Sequence, residues 1–300
     1  MIEMTPEEVG RLTGPQREAR VLDLMAHSES LVLESIKQHV AADNKNLAAV
    51  ATLFSGGNDS TVLAHLFRDV ATHAIHANTT IGIEQTRQFV RDTCASWDLP
   101  LIEVKPPNEK DHYRTLVLDQ GFPGPGHHYK MFQRLKERGL RQARRELVRS
   151  RDDRVVFLAG RRRHESARRA NIPEMERVGS TVWCSPLVDW TALDMNTYRL
   201  MQGDVPVNEV SALIHMSGEC LCGAFAHEGE LAEIAEWFPE VAAEIHALEA
   251  EIAHREDIKP HARTWGWGGD PETLKASRSR AKSGPMCSSC DARTAHDHTP

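Results

Sequence analysis

A glycine-bearing segment, Ser55-Gly56-Gly57-Asn58-Asp59-Ser60, constrains the fold of this chain more than any other feature. It directly follows the short apolar run 47–54 and directly precedes residues 61–70, where apolar side chains recur at helical spacing. The run predicts a buried parallel strand, and the glycines let the backbone turn sharply and approach a ligand without a Cβ in the way. The unit therefore predicts a polyphosphate site at a helix N-terminus. The alternative is a plain turn in which Asp59 or Ser60 caps the helix.

Strand-like and helix-like patterns alternate along the rest of the first two thirds of the chain. Such alternation predicts an α/β fold with a doubly wound, mostly parallel sheet, whose ligands bind beyond the carboxyl ends of the strands. Further strands are expected at 74–77, 101–104 and 155–159. Helices are expected at 28–40, 83–97 and 129–149.

We divide the chain into an N-terminal helical segment (1–45), a nucleotide-binding α/β domain (46–201) and a small helical, cysteine-bearing C-terminal region (202–300). The Gly- and Pro-rich stretch 106–128 is longer than a normal connection, so we expect a functional or mobile loop such as a lid. Short helices are expected after Trp190, including the acidic stretch 228–257.

Composition and charge limit the classes of protein that this chain can belong to. No uncharged apolar run approaches the length of about 18 residues that a membrane span needs, and acidic residues near the N-terminus do not suit a signal peptide. We expect a cytoplasmic protein with reduced cysteines. The net charge is −7, yet residues 130–169 hold 15 Lys or Arg and five Asp or Glu. This basic segment indicates either a solvated Arg-rich helix or a surface for a polyanion such as nucleic acid.

Two cysteine pairs near the end of the chain indicate a metal site. Cys220 and Cys222 form a CxC motif, and Cys287 and Cys290 form a CxxC motif. Four soft thiolate ligands suit an iron–sulfur cluster or tetrahedral zinc, and the sequence leaves both open, with redox thiols as the further alternative.

Several motifs resemble known families. The loop SGGNDS resembles the SGGxDS loop of the ATP pyrophosphatases in the adenine nucleotide α-hydrolase superfamily. Three later segments are similar, in the right order, to the phosphoadenosine phosphosulfate (PAPS) reductase group of that superfamily. They are HANTTIGIEQT (76–86), GRRRHESARRA (160–170) and PLVDWT (186–191). The chain is identified as a PAPS reductase-like member over residues 47–201.

The resemblance implies an adenine nucleotide ligand, either ATP with Mg²⁺ or a PAPS-type sulfonucleotide. Its phosphates would bind residues 55–60, Asp59 would hold Mg²⁺, and the adenine would lie near Thr79 and Thr80. Lys136 and Arg161 would stabilise charge at the α-phosphate.

Arg161 is the residue that matches the family's arginine, and we expect Glu165 to orient it. The neighbouring Arg162 and Arg163 fit solvated surface at least as well as a function.

Two departures from the reductase pattern shape the functional hypothesis. Met131-Phe132 stands where adenylyl-sulfate (APS) reductases carry a cysteine pair, and the chain ends CSSCDARTAHDHTP without an ECGLH-like motif. The first hypothesis is therefore an ATP pyrophosphatase that couples adenylation to sulfur transfer, as in DNA phosphorothioation. The alternatives are a PAPS or APS reductase and, from another class, a nucleotide-dependent nucleic-acid-binding subunit.

Overall fold

The computed structural model describes residues 3–165 and 169–268. The helices of this part are distributed along its whole length. They are α1 Pro6–Gly10, α2 Gly14–Ile36, α3 Asn58–Leu66, α4 Glu84–Ser96, α5 Tyr113–Gln120, α6 His128–Phe132, α7 Arg138–Leu147, α8 Ala192–Gln202, α9 Glu209–Ile214, α10 Glu230–Trp237 and α11 Pro239–Ile252.

A six-stranded sheet forms the centre of the α/β part. Its strands are β1 Asn46–Leu53, β2 His73–Ala77, β3 Leu101–Val104, β4 Asp153–Leu158, β5 Met175–Val178 and β6 Thr181–Cys184. The spatial order is β3-β2-β1-β4-β6-β5, and every pairing is parallel except that of β5 with β6. The predicted doubly wound, mostly parallel α/β fold is confirmed.

Helices cover both faces of the sheet because the central strands are apolar on both faces. In β1, Val50 packs with α2, α3 and α8, whereas its neighbours Ala49 and Ala51 pack on the opposite side with α7. Successive side chains of a strand point to opposite faces, so an uninterrupted apolar strand needs two covering layers.

The N-terminal helical segment is attached to the α/β part through a buried ion pair. Helix α2 begins at Gly14, well before the predicted start at residue 28, because the side chain of Gln16 accepts a hydrogen bond from the Thr13 backbone N–H at its start. Arg20 Nε in α2 lies 3.0 Å from Asp194 Oδ1 in α8, and both side chains are fully buried. A charge with no water around it needs such a partner.

The stretch 106–128, which we expected to be a functional or mobile loop such as a lid, contains helix α5. Tyr113 in α5 is fully buried and packs in a cluster with Ile234, Ile245 and Leu248 of the C-terminal helices. Gly121 ends the helix with a φ of +79°, which favours glycine. The segment is therefore part of a packed core.

The expected short helices after Trp190 are present as α8 to α11. Ile245, Leu248 and Ile252 form the buried stripe of α11, as their helical spacing predicts. Within the described ranges, no helix combines the length and the apolar character needed to cross a bilayer.

Candidate nucleotide and cysteine site

The predicted phosphate loop lies between the end of β1 and the start of α3. Gly56 has a φ of +78°, and Gly57 is the N-cap residue of α3. Ser60 Oγ donates to the Gly57 carbonyl at 3.0 Å and accepts from the Ser55 N–H at 3.3 Å, which closes the loop on itself. Because glycine has no side chain to cap the helix, the first N–H groups of α3 receive no cap from their own N-cap residue. Neither Asp59 nor Ser60 is the N-cap, contrary to the plain-turn alternative.

A cavity of about 310 Å³ opens at this loop and at the carboxyl ends of β1, β2 and β4. Its lining combines apolar side chains with the loop, basic side chains and three acidic residues, Asp59, Glu165 and Glu219. Its lining includes Leu53, Phe54, Ser55, Gly57, Asn58, Asp59, Ser60, Ile75, Ala77, Lys136, Leu140, Ala159, Gly160, Arg161, Arg162, Glu165, Ser211, His215, Met216, Ser217 and Glu219.

Asp59 is paired with an arginine inside this cavity. Arg162 Nε donates to Asp59 Oδ2 at 2.7 Å. The strand β4 brings Arg162 here because Gly160 passes close to the loop, where a Cβ would lie 3.3 Å from the Asp59 carbonyl carbon. Arg162 is 9% exposed, and the half-buried Arg163 is ion-paired with Asp189 at 2.5 Å. Of the two alternatives for these residues, solvated surface therefore does not describe Arg162.

Arg161 lines the cavity but has a different acidic partner from the expected one. Its Nε donates to Ser185 Oγ at 2.9 Å, and its Nη1 lies 3.1 Å from Glu176 Oε1. Glu165 instead pairs with Arg169 at 3.3 Å. The expected orienting role of Glu165 toward Arg161 is not what the contacts give, because the turn after β4 directs Glu165 toward Arg169.

Glu165 is a cavity-lining carboxyl group whose acidity is strongly altered by burial. Burial raises the pKa of Glu165 to about 8, and the negative charge of Asp59 adds to this effect, while Arg169 opposes it. A carboxyl group in this environment holds its proton at neutral pH.

Lys136 reaches the cavity from a π-helical segment, Gln133–Glu137, that joins α6 to α7. Such one-turn π segments are rare and often lie at functional sites. Lys136 and Arg161 thus stand on the wall of the same cavity as the phosphate loop.

Thr79 and Thr80 are not among the cavity-lining residues of the described chain. Thr79 is fully buried, and its backbone N–H donates to Glu219 Oε1 at 2.7 Å. Thr80 Oγ1 accepts from the Tyr113 N–H at 2.9 Å. These threonines hold neighbouring segments in place.

Glu219 forms part of the cavity wall and belongs to a buried polar network that the sequence did not reveal. Its Oε2 lies 3.0 Å from His76 Nε2 and 3.4 Å from Arg87 Nε. The other ring nitrogen of His76 donates to the Phe54 carbonyl at 2.8 Å. Because Phe54 directly precedes the phosphate loop, this network connects the loop to the residue before Cys220.

The backbone around the CxC motif is fixed by side chains from three other elements. Thr86 Oγ1 donates to the Ser217 carbonyl at 2.7 Å, and Trp265 Nε1 donates to the Leu221 carbonyl at 2.9 Å. Tyr113 Oη donates to the Cys222 carbonyl at 3.0 Å. Cys222 is buried and Cys220 is half-buried. The backbone that carries the two thiols is therefore held by hydrogen bonds from three side chains distant in sequence.

The second half of the predicted metal site, Cys287 and Cys290, lies outside the described residues. The remaining two cysteines behave as small apolar residues. Burial raises the pKa of both Cys94 and Cys184 to about 12, which keeps them as thiols.

The basic segment is partly neutralised within the fold. Arg134 and Arg138 both pair with the buried carboxylate of Asp111, and Arg141 is hydrogen-bonded to Glu137. Exposed arginines nevertheless remain at positions 141, 145, 149 and 151.

The comparison with protein families concerns the same part of the chain. The phosphoadenosine phosphosulfate reductase domain matches residues 49–212. This range contains the phosphate loop, Arg161, Arg162 and Arg163, and most of the other residues that line the cavity. The chain belongs to this family. It is therefore an enzyme of the adenine nucleotide α-hydrolase superfamily, related to sulfur metabolism.

Individual relatives of this PAPS reductase family member are distant. The adenosine 5'-phosphosulfate reductase of Chelativorans sp. (strain BNC1) is 27% identical over 205 residues, covering 68% of this chain and 80% of the relative. The phosphate complex of the PAPS reductase from Candida auris is 16% identical, with a TM-score of 0.45, covering 70% of this chain and 93% of that one. The U34-tRNA thiolase of Methanococcus maripaludis, with its 4Fe–4S cluster, is 13% identical, with a TM-score of 0.39, covering 88% and 85%.

Proposed function

We propose that the protein binds ATP with Mg²⁺, cleaves it between the α- and β-phosphates to adenylate an acceptor, and couples this step to sulfur transfer at the cysteine site. One observation carries the proposal. Glu219 lines the nucleotide cavity, and the next residue, Cys220, begins the CxC motif. A nucleotide in the cavity would therefore be bounded by the segment that carries the thiols.

The phosphate loop would hold the leaving group. Backbone N–H groups of residues 55–60 and the positive end of the α3 dipole would bind the β- and γ-phosphates. Asp59 would bind Mg²⁺, which would take the place of Arg162 on this carboxylate. Arg162, released from Asp59, would then pair with a phosphate oxygen, so that neither the carboxylate nor the guanidinium is left without a partner.

Lys136 and Arg161 would act at the α-phosphate. The acceptor oxygen would form a bond to the α-phosphorus while the bond between the α-phosphorus and the oxygen that bridges to the β-phosphate breaks, and pyrophosphate would leave with the electron pair of that bond. Negative charge grows on the non-bridging oxygens during this step, and cationic side chains fixed beforehand stabilise it. Positioning and electrostatics are sufficient, without a protein nucleophile at phosphorus.

The four cysteines would hold one iron–sulfur cluster, with zinc as the alternative occupant. The donor set fits either group, because the described half of it consists of two thiols on a backbone fixed by Trp265 and Tyr113. When bound, the group would supply a sulfur-binding metal centre beside the adenylated acceptor.

A nucleic acid is the acceptor class that the basic segment favours. The exposed arginines at 141, 145 and 149 lie on or just after α7, whose preceding π segment brings Lys136 to the cavity. Replacing these three arginines by glutamine should weaken binding of DNA or RNA uniformly across sequences. The slope of log affinity against log salt should flatten by about one unit for each phosphate group that is no longer neutralised. An unchanged slope would assign these arginines to solvated surface.

A PAPS or APS reductase is the second candidate, favoured by the 27% identical relative named as an APS reductase. The place of the APS reductases' cysteine pair argues against the APS reductase activity here. Met131 and Phe132 are both buried in the apolar interior and supply no thiol.

Parallel reactions with ATP, APS and PAPS distinguish these candidates. Purified anaerobically and given Mg²⁺, a thiol reductant, sulfide as the sulfur donor and candidate nucleic-acid acceptors, the protein should release pyrophosphate from ATP as the acceptor is adenylated, and AMP as sulfide displaces the adenylate. Sulfite from APS or PAPS, with no pyrophosphate from ATP, would instead establish the reductase. A nucleotide-dependent binding subunit would yield neither product while still binding nucleic acid.

A further inference from the structure

Asn208, at the start of α9, contacts the phosphate loop from outside the motif that defines it. Its Nδ2 donates to the Gly56 carbonyl at 2.9 Å and to Thr86 Oγ1 at 3.1 Å. Its Oδ1 accepts from the Val210 N–H at 3.1 Å and so caps α9. The side chain is 4% exposed. All three polar positions of the amide are thus used, which fixes its orientation.

The Gly56 carbonyl and the Gly57 N–H belong to the same peptide group. In a trans peptide these two groups point in opposite directions. Ser211 Oγ is a second donor to the Gly56 carbonyl, at 3.3 Å. Two donors on one carbonyl therefore also set the direction of the Gly57 N–H.

The surroundings place these two glycines on different sides of the loop. A Cβ on Gly56 would meet Thr86 Cγ2 at 2.8 Å and Val90 Cγ2 at 3.3 Å, so Gly56 faces α4. Among the described residues, Gly57 lines the cavity and Gly56 does not.

We propose that Asn208 is a positioning residue for polyphosphate: by holding the Gly56 carbonyl, it presents the Gly57 N–H to a phosphate oxygen in the cavity. This inference rests on the proposed function, because it requires the loop to bind the β- and γ-phosphates. A peptide with φ of +78° at glycine has an easily accessible flipped state, and the flip would turn a carbonyl oxygen toward the phosphate. Holding this peptide beforehand removes that cost from binding.

The substitution Asn208→Asp tests the donors separately from the cap. Aspartate keeps an oxygen for the Val210 N–H but places an acceptor against the Gly56 carbonyl. Asn196→Asp is the matched control, since Asn196 is exposed on α8 and adds the same charge. Calorimetry should compare pyrophosphate with Mg²⁺, ATP with Mg²⁺, and AMP, whose single phosphate is assigned to Lys136 and Arg161.

We expect Asn208→Asp to weaken binding of pyrophosphate and ATP by about 10- to 100-fold, the loss typical of a charge-assisted hydrogen bond. AMP binding should change less than about twofold, and Asn196→Asp should match the parent for all three ligands. A loop that is only destabilised would weaken AMP and ATP alike, and that result would overturn the inference, as would unchanged ATP binding. A parent protein that binds neither ATP nor pyrophosphate would overturn the proposed function as well.

Ser211→Ala provides a second test if Asn208→Asp does not fold. This variant removes only the longer of the two hydrogen bonds to the Gly56 carbonyl and leaves the cap of α9 intact. We expect pyrophosphate binding to weaken by about two- to fivefold at an unchanged unfolding midpoint. Parent-like pyrophosphate binding in Ser211→Ala would contradict the role assigned to the Gly56 carbonyl.

Discussion

Arg162 Nε lies 2.7 Å from Asp59 Oδ2, so an ion pair joins two segments that are 103 residues apart in sequence. Both residues line the cavity. The carboxylate proposed to hold Mg²⁺ is therefore already compensated by a cation. On the proposed function, binding of the metal–nucleotide complex would exchange one partner for another, without leaving a buried charge unpaired.

Replacing Asp59 by asparagine should separate metal-dependent from metal-independent binding. The asparagine side chain keeps the shape of aspartate but carries no charge, so we expect ATP with Mg²⁺ to bind about tenfold or more weakly. Pyrophosphate without metal should bind at least as tightly as to the parent, because Arg162 is released. Calorimetry measures both affinities, and Asp69→Asn, at an exposed position of the turn after α3, is the control. Parent-like affinity for ATP with Mg²⁺ would exclude Asp59 as the metal ligand.

Gly82, in the segment before α4, lies close to Glu219, the residue that precedes the CxC motif. A Cβ at this position would lie 2.5 Å from the Glu219 carbonyl oxygen. Gly82→Ala should therefore lower the free energy of unfolding by about 1–3 kcal/mol and weaken ATP binding, since the cavity wall must shift. Urea unfolding checks the first effect. Gly10→Ala, where a Cβ meets nothing within 4 Å, should be close to neutral, and equal effects of the two substitutions would contradict this packing.

The raised pKa of Glu165 predicts a pH dependence of stability. Burial raises the pKa of Glu165 from 4.5 to about 8 in the folded protein, so between these values the folded state binds more protons than the unfolded state. The free energy of unfolding should then fall as the pH rises through this window, by up to about 1.4 kcal/mol per pH unit. Glu165→Gln should lack this component. Denaturation curves of both proteins should be measured at about pH 5, 6, 7 and 8. The difference in the free energy of unfolding between the two proteins should change steadily with pH, and a constant difference would exclude the raised pKa of Glu165.

If the cysteines hold a metal, substituting Cys220 and Cys222 should remove it from the protein. Protein prepared without oxygen should contain iron, or zinc as the alternative, and a Cys220→Ser, Cys222→Ser double variant should lose most of it. Cys94→Ala, a substitution on the buried face of α4, should keep the metal content of the parent. Elemental analysis measures the metal content of all three proteins. A metal-free parent, or a double variant with full metal content, would instead identify Cys220 and Cys222 as redox thiols.

The fold was predictable because its signals are local. An apolar run before SGGNDS and a helical pattern after it specify β1 and α3 whatever the rest of the chain does. Helix α5 was missed because eight residues between Pro- and Gly-rich stretches carry little helical signal on their own. Its stability comes from burial of Tyr113 against the distant C-terminal helices.

The candidate site was predictable only where a motif marks it. The loop and Arg161 follow strands, so their place at the carboxyl edge follows from the topology. The partners of Arg161 and Arg162 depend on side-chain direction, which spacing does not specify. Glu219 and Asn208 reach the loop through contacts across more than 140 residues, although the position of Glu219 directly before Cys220 was an available signal.

On the proposed function, one cavity holds the triphosphate of ATP against a wall that continues into the CxC motif. A crystal structure of the complex with α,β-methylene-ATP and Mg²⁺ would show this arrangement, because this analogue resists cleavage at the proposed bond. We predict β- and γ-phosphates on the N–H groups of residues 55–60, Mg²⁺ on Asp59, and the α-phosphate facing Lys136 and Arg161. Electron density that places the triphosphate away from residues 55–60, or the α-phosphate away from Lys136 and Arg161, would rule out this mode of nucleotide binding.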